Sequence, residues 1–156
     1  ETAIFDYWSV DTIRRWRNGG KFDGKMLTED QKHIYSIYQR ILTLCNKEKA
    51  ITEGEFFDLM YANANGWRFN EHKQYTFLRK AGKELLFIIV NFDHISVDVA
   101  INVPSHAFDF LQIPQMDIYP AVDLLTGKTE SISLLPYKAT EVSVEGYSGK
   151  ILKIKL

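Results

Sequence analysis

The polar and apolar positions of this 156-residue chain follow two different periods, and the change falls near Ala50. Ahead of it the spacing is helical. Ser9 stands as a cap before a short helix over residues 10–17, with Ile13 and Trp16 on one side and Asn18-Gly19-Gly20 as its stop. Thr28 and Gln31 then form an S/T-x-x-E/Q capping box, and Glu29 and Asp30 sit where the positive end of a helix dipole favours carboxylates. Ile34, Ile37, Tyr38, Ile41, Leu42 and Cys45 follow at helical intervals as one apolar stripe over ~4 turns, and Asn46-Lys47 suit its end.

After Ala50 the period drops to two and stays there. Strands are predicted over residues 56–62, 74–80, 84–92, 96–103, 119–125, 129–134, 140–144 and 150–156. Ala81-Gly82-Lys83 and Thr126-Gly127-Lys128 read as hairpin turns, and residues 63–70 as a polar loop. In the fourth strand Val97, Val99, Ile101 and Val103 alternate with Ser96, Asp98, Ala100 and Asn102 until Pro104 stops it. Short strands separated by turns, with no βαβ alternation, predict a mainly β fold: an antiparallel β-sandwich of seven or eight strands with one long and one short N-terminal helix. Leu85 to Val90 is apolar without alternation, so that strand is expected to be covered on both faces. One cover is the opposite sheet, and the other is the amphipathic helix or a neighbouring domain.

Charge narrows the partners. There are 19 basic and 20 acidic residues, spread over both halves, which is not the electrostatic footprint of a nucleic-acid binder. The run Leu85–Val90 is the longest apolar stretch, far short of the ~20 residues of a membrane helix, so neither nucleic acid nor membrane is an expected partner. The lone Cys45 excludes an internal disulfide and leaves the compartment open. The chain begins at Glu1 without Met and runs straight into aromatic sequence, from which we expect a piece of a longer protein.

The search for chemistry is mostly one of exclusion. Gly19 to Lys25 satisfies G-x-x-x-x-G-K, but Met26 stands where a magnesium-binding hydroxyl is needed, and no buried strand precedes it. Gly146-Tyr147-Ser148-Gly149 misses the nucleophile-elbow spacing by one residue and reads as a turn. His33, His72, His94 and His106 are scattered without metal-ligand spacing, so neither metal nor cofactor is expected. The carboxylates fall in first helical turns, on polar strand faces or in turns. Among the aromatics Trp67 differs, standing in the polar segment Asn63-Ala64-Asn65-Gly66-Trp67-Arg68-Phe69-Asn70. Either it anchors this loop by burial, or it offers a ring for a sugar face beside amide and guanidinium donors. Tyr61 and Trp8 are the other candidate glycan contacts.

Several segments, in order, carry a resemblance. Tyr35-Ser36-Ile37-Tyr38-Gln39-Arg40-Ile41-Leu42 is followed by Ala50-Ile51-Thr52-Glu53-Gly54-Glu55-Phe56, then Tyr75-Thr76-Phe77-Leu78-Arg79 and Leu85-Leu86-Phe87-Ile88-Ile89-Val90-Asn91-Phe92. Asp123-Leu124-Leu125-Thr126-Gly127 and Leu134-Leu135-Pro136-Tyr137 close the series. This resembles the junction between the (β/α)8 barrel and the C-terminal β domain of the α-amylase family, glycoside hydrolase family 13, from about Thr28 to Val144. The resemblance implies residues 1–48 as the end of the barrel and residues 49–156 as the β domain. It implies a non-catalytic domain of an enzyme acting on α-glucans. Its partner would be the barrel, met through Ile34, Ile37, Tyr38, Ile41 and Leu42, with α-glucan as a second possible contact. No catalytic residue can be carried over: no Arg is followed two positions later by Asp, and Asn91 is followed by Phe92 rather than His-Asp. The open alternatives are a carbohydrate-binding β-sandwich module, an unrelated β-sandwich interaction domain, and the same domain of an α-glucan branching enzyme.

Overall fold

The computed structural model describes residues 10–156. These divide between Thr43 and Leu44 into two compact units. In the first, helix α1 spans Asp11–Arg17, with Val10 at its N-cap and Asn18 in the left-handed conformation that ends it. Ser9, the expected cap, lies outside the described residues. The Gly-rich segment after α1 is a 3-10 turn and loop, with Gly19 and Gly24 at positive φ. Helix α2, Glu29–Lys47, starts on the expected capping box: Gln31 donates its backbone N–H to Thr28 Oγ1 (3.3 Å), and Thr28 donates its own to Gln31 Oε1 (3.0 Å).

The second unit holds the sheets, with eight strands among the described residues: β1 Glu55–Asp58, β2 Gln74–Ala81, β3 Glu84–Asn91, β4 Val97–Ile101, β5 Met116–Asp123, β6 Thr129–Leu134, β7 Thr140–Val144 and β8 Ser148–Lys155. Pairing is antiparallel throughout. One sheet runs β1-β2-β3-β8-β5-β6 and the other is β4-β7. The architecture is thus the mainly β, antiparallel one expected. β3 sits centrally, with Phe77 opposite Ile88 on β2 and Ile88 opposite Ile151 on β8.

The inner face of the large sheet contributes Leu78, Leu85, Phe87, Ile89, Leu152 and Ile154 to one core. Val99, Ile101, Val142 and Val144 of the small sheet meet them there. Because alternate residues of a strand point to opposite faces, Leu86, Ile88 and Val90 emerge on the other side. Ala50, Leu86 and Ile88 form a second, smaller buried cluster there.

Three short helices were not expected from the sequence: α3 Lys49–Thr52, α4 Met60–Asn63 and α5 Ser105–Leu111. The strand expected over 56–62 is cut at Asp58, whose carboxylate accepts the Met60 N–H (3.1 Å) and turns the chain into α4. α5 lies where Pro104 ends the preceding extended segment, and it buries Ala107, Phe108 and Leu111 in the main core. The strand expected over 96–103 is paired only over Val97–Ile101, and β5 begins at Met116 rather than Tyr119.

Candidate functional site

Three of the segments that carried the family resemblance hold a polar residue that fastens the fold. Arg79 of β2 is the clearest. Its guanidinium donates to three carbonyl oxygens, those of Ala50 (2.7 Å), Ile51 (2.9 Å) and Gly54 (2.7 Å). These acceptors lie at the end of α3 and just beyond it, where carbonyls lack helical partners. Ala50 is fully buried, and a Cβ on Gly54 would overlap the Ala50 carbonyl and approach the Lys80 carbonyl to 2.8 Å. A small residue, a glycine and an arginine at these positions are therefore one device that presses α3 onto the outer face of the large sheet.

Charge completes the device. Lys153 of β8 pairs with Glu48 and with Glu84 (2.9 Å), and Glu84 also accepts the Ala50 N–H (2.9 Å). Burial raises the Glu84 carboxyl, but the Ala50 N–H and the Lys153 ammonium outweigh it and hold the group below its ordinary value. Burial likewise lowers Lys153, and its two carboxylate partners more than reverse that.

Two other motif residues act similarly. Asn91 is buried at the end of β3, donates to the Ile95 (2.8 Å) and Glu145 (3.1 Å) carbonyls, and accepts from Gln74 and the Asp93 N–H. Asp123, also buried, accepts from the Leu125 and Ile151 N–H groups and the Thr126 hydroxyl, closing the β5–β6 turn.

Beyond α3 the outer face remains apolar and open. Phe56, Tyr75 and Val122 are exposed, while Phe77, Val90 and Ile151 are half-buried at the edge of the smaller cluster. Phe77 is flanked by Phe56 and Tyr75, at 5.4 and 5.7 Å between ring centroids. In the other unit Ile34, Ile37, Tyr38, Ile41 and Leu42 share the α2 stripe and are all exposed, Tyr38 at 65% and Leu42 at 60%.

The candidate glycan contacts part company. Trp8 lies outside the described residues. Tyr61 joins a cluster with Phe57 and His106, its hydroxyl hydrogen-bonded to His106 Nε2. Burial and the Asp58 carboxylate raise its phenol above its ordinary value. Trp67 is 72% exposed, so it does not anchor its loop. Phe69, two residues on, is buried instead, and Asn63 ties the loop base to the Leu59 carbonyl (2.8 Å) and the Asn102 N–H (2.7 Å). Arg68 stacks on Trp67, with Cζ 5.1 Å from the ring centroid. Beside it is a groove of about 520 Å³ whose polar lining, Asp117, Ser131, Lys138 and Glu141, was not anticipated from the sequence. These positions lie 50 to 74 residues from Trp67, and only the strand pairing brings them together.

The two-sheet fold with its clamped α3 is similar to a region within solved α-amylases and related enzymes, the family whose pattern the sequence resembles. Among the structures it resembles is a maltogenic α-amylase, AmyB from Thermotoga neapolitana (TM-score 0.61, 14% identity, 85% of this chain and 27% of that one). Another is the α-amylase from Geobacillus thermoleovorans complexed with acarbose (TM-score 0.57, 12% identity, 86% and 26%). The trehalose-6-phosphate hydrolase of Bacillus licheniformis is a third (TM-score 0.52, 19% identity, 84% and 20%). At these identities the likeness is one of fold. The chain spans about a quarter of the length of these solved enzymes. No protein-family profile matches the chain, and no curated protein does.

Proposed function

We propose that this chain is the non-catalytic C-terminal β domain of an α-amylase-family glycoside hydrolase acting on α-glucans. Residues 1–48 supply the end of its catalytic barrel, and residues 49–156 are the β domain that packs against that barrel. The observation that carries the reading is the pair of open apolar surfaces. The α2 stripe of Ile34, Ile37, Tyr38, Ile41 and Leu42 is one, and the outer sheet face around Phe56, Tyr75 and Phe77 is the other. Contiguous exposed apolar surface of this kind marks a site that another body covers. The motif residues support the reading from the chemical side, since Arg79, Asn91 and Asp123 spend their hydrogen bonds on backbone groups and neighbouring side chains that hold the fold.

The test compares the same substitutions in two contexts. Tyr38→Ser with Leu42→Ser, and separately Phe56→Ser with Tyr75→Ser, remove side chains that are exposed in this chain. In the isolated chain their melting temperatures should stay near wild type. In the full-length parent, where each buried side chain is worth roughly 1.5–3 kcal/mol, each pair should lower it by several degrees. Equal, small effects in both contexts would sink the proposal.

A further inference from the structure

We propose that the groove beside Trp67 is a binding site for a pyranose oligosaccharide. The argument starts from a cost. An indole left 72% exposed forgoes most of the burial free energy it could gain by turning inward, roughly 1.5–3 kcal/mol for a large apolar side chain. The loop is not slack enough for the exposure to be incidental. Phe69 fills the inward position, Gly66 donates its N–H to the Asn63 carbonyl (2.8 Å), and the Glu71 carboxylate accepts the Asn65 N–H (2.6 Å). Arg68 sits at φ +57° and is held by the Asp98 carbonyl (3.0 Å) and the Glu141 carboxylate (3.4 Å). Its guanidinium lies against Trp67, so the indole is oriented by its neighbour while most of its surface is open.

The groove supplies the rest of the chemistry. Its volume of about 520 Å³ lies within the ~300–1,000 Å³ range of small-ligand sites. Trp67 and Ile118 give it an apolar side. Asp117 and Glu141 offer acceptors, Lys138 offers a donor and Ser131 offers both. Lys138 stands 3.7 Å from Asp117, an exposed pair that a ligand hydroxyl can bridge at little cost. Among the described residues, the Ser133 hydroxyl in the same wall is the buried side-chain oxygen without a hydrogen-bond partner. A pyranose ring has an apolar face of C–H groups and a rim of hydroxyls that both donate and accept, which matches such a lining. A phosphate-bearing ligand would meet two carboxylates opposite a single lysine, and an apolar segment would strand these charges.

Calorimetric titration of the full chain with maltoheptaose and with cellohexaose tests this. Saturable binding is expected. Trp67→Ala should weaken it roughly tenfold, the loss of a stacked aromatic, with the melting temperature unchanged. Lys138→Ala should weaken it several-fold, and Tyr147→Ala, which removes an exposed aromatic outside the groove, should leave it alone. A preference for maltoheptaose supports both the site and the α-glucan parent proposed above. A preference for cellohexaose that disappears in Trp67→Ala supports the site and counts against that parent. Absence of heat with both sugars, or binding that survives Trp67→Ala, overturns the site.

Discussion

Removing the Arg79 guanidinium is the sharpest test of how the fold is fastened. Arg79→Met keeps the aliphatic stem on the sheet and deletes three donors that reach the Ala50, Ile51 and Gly54 carbonyls at 2.7 to 2.9 Å. Hydrogen bonds to a charged group contribute about 1.5–3 kcal/mol each, but three bonds from one group are not additive. Arg79 is half-buried, so water can reach part of what it leaves behind. A net loss of about 3 kcal/mol follows, a large share of the ~5–15 kcal/mol that holds a domain together. At ~2–4 °C per kcal/mol for a chain of this size, the melting temperature should fall by roughly 6–12 °C. Urea unfolding followed by far-UV circular dichroism measures the loss directly, and Arg79→Lys should recover only part of it, because an ammonium cannot match the planar fork. A loss below about 1 kcal/mol for Arg79→Met, or full recovery by Lys, would refute the clamp.

Other tests follow from the same geometry. Gly54→Ala should cost about 2 kcal/mol or more, because its Cβ would overlap the Ala50 backbone, which cannot swing away; thermal unfolding checks this. Thr28→Ala should lower α2 stability by about 1 kcal/mol through loss of the capping box, read as reduced helicity in the far-UV signal. The carboxyls of Glu84 and Asp93 are held below the ordinary carboxylate range, Asp93 chiefly by its hydrogen bond from Lys73. A depressed carboxyl contributes stability above its unfolded value and loses it as pH falls through the folded one. The melting temperature should therefore hold from neutrality to about pH 5 and decline below it, and Lys153→Met should flatten that acid limb. An unchanged acid limb in Lys153→Met would remove Glu84 from the account.

What the sequence disclosed, it disclosed through local signals. The α2 helix announced itself by its stripe and its capping box, and β4 by the clean alternation of Val97, Val99 and Ile101 with polar and small neighbours. α5 stayed hidden because seven residues with Ala107, Phe108 and Leu111 inward are too short for a period to emerge. The strand over 56–62 was overextended because apolar content does not reveal that the Asp58 carboxylate caps the next turn. Trp67 and Phe69 stand two apart in one loop, and no local rule says which turns inward. Backbone at positive φ in Asn65 and Arg68 belongs to that choice, and neither residue advertises it. The motif containing Arg79 was visible as a pattern, but its meaning was not, since its three acceptors lie 25 to 29 residues earlier in the chain.

The two-faced apolarity of β3 has a consequence for how the sheet finds its alignment. In a strand with one wet face, a slip of one residue turns the apolar set into water and is penalised at once. β3 presents Leu85, Phe87 and Ile89 to one side and Leu86, Ile88 and Val90 to the other, so a slipped pairing with β2 would bury nearly the same surface. Burial alone therefore cannot tell the right alignment from the wrong one. The flanking charges can. A one-residue slip that inverted β2 would turn Arg79 into the main core and pull it away from its three carbonyls, and one that inverted β3 would separate Glu84 from Lys153 and Ala50. These few polar side chains work as a selection key: they add to stability, and they discard the neighbouring alignments that a purely hydrophobic strand would accept.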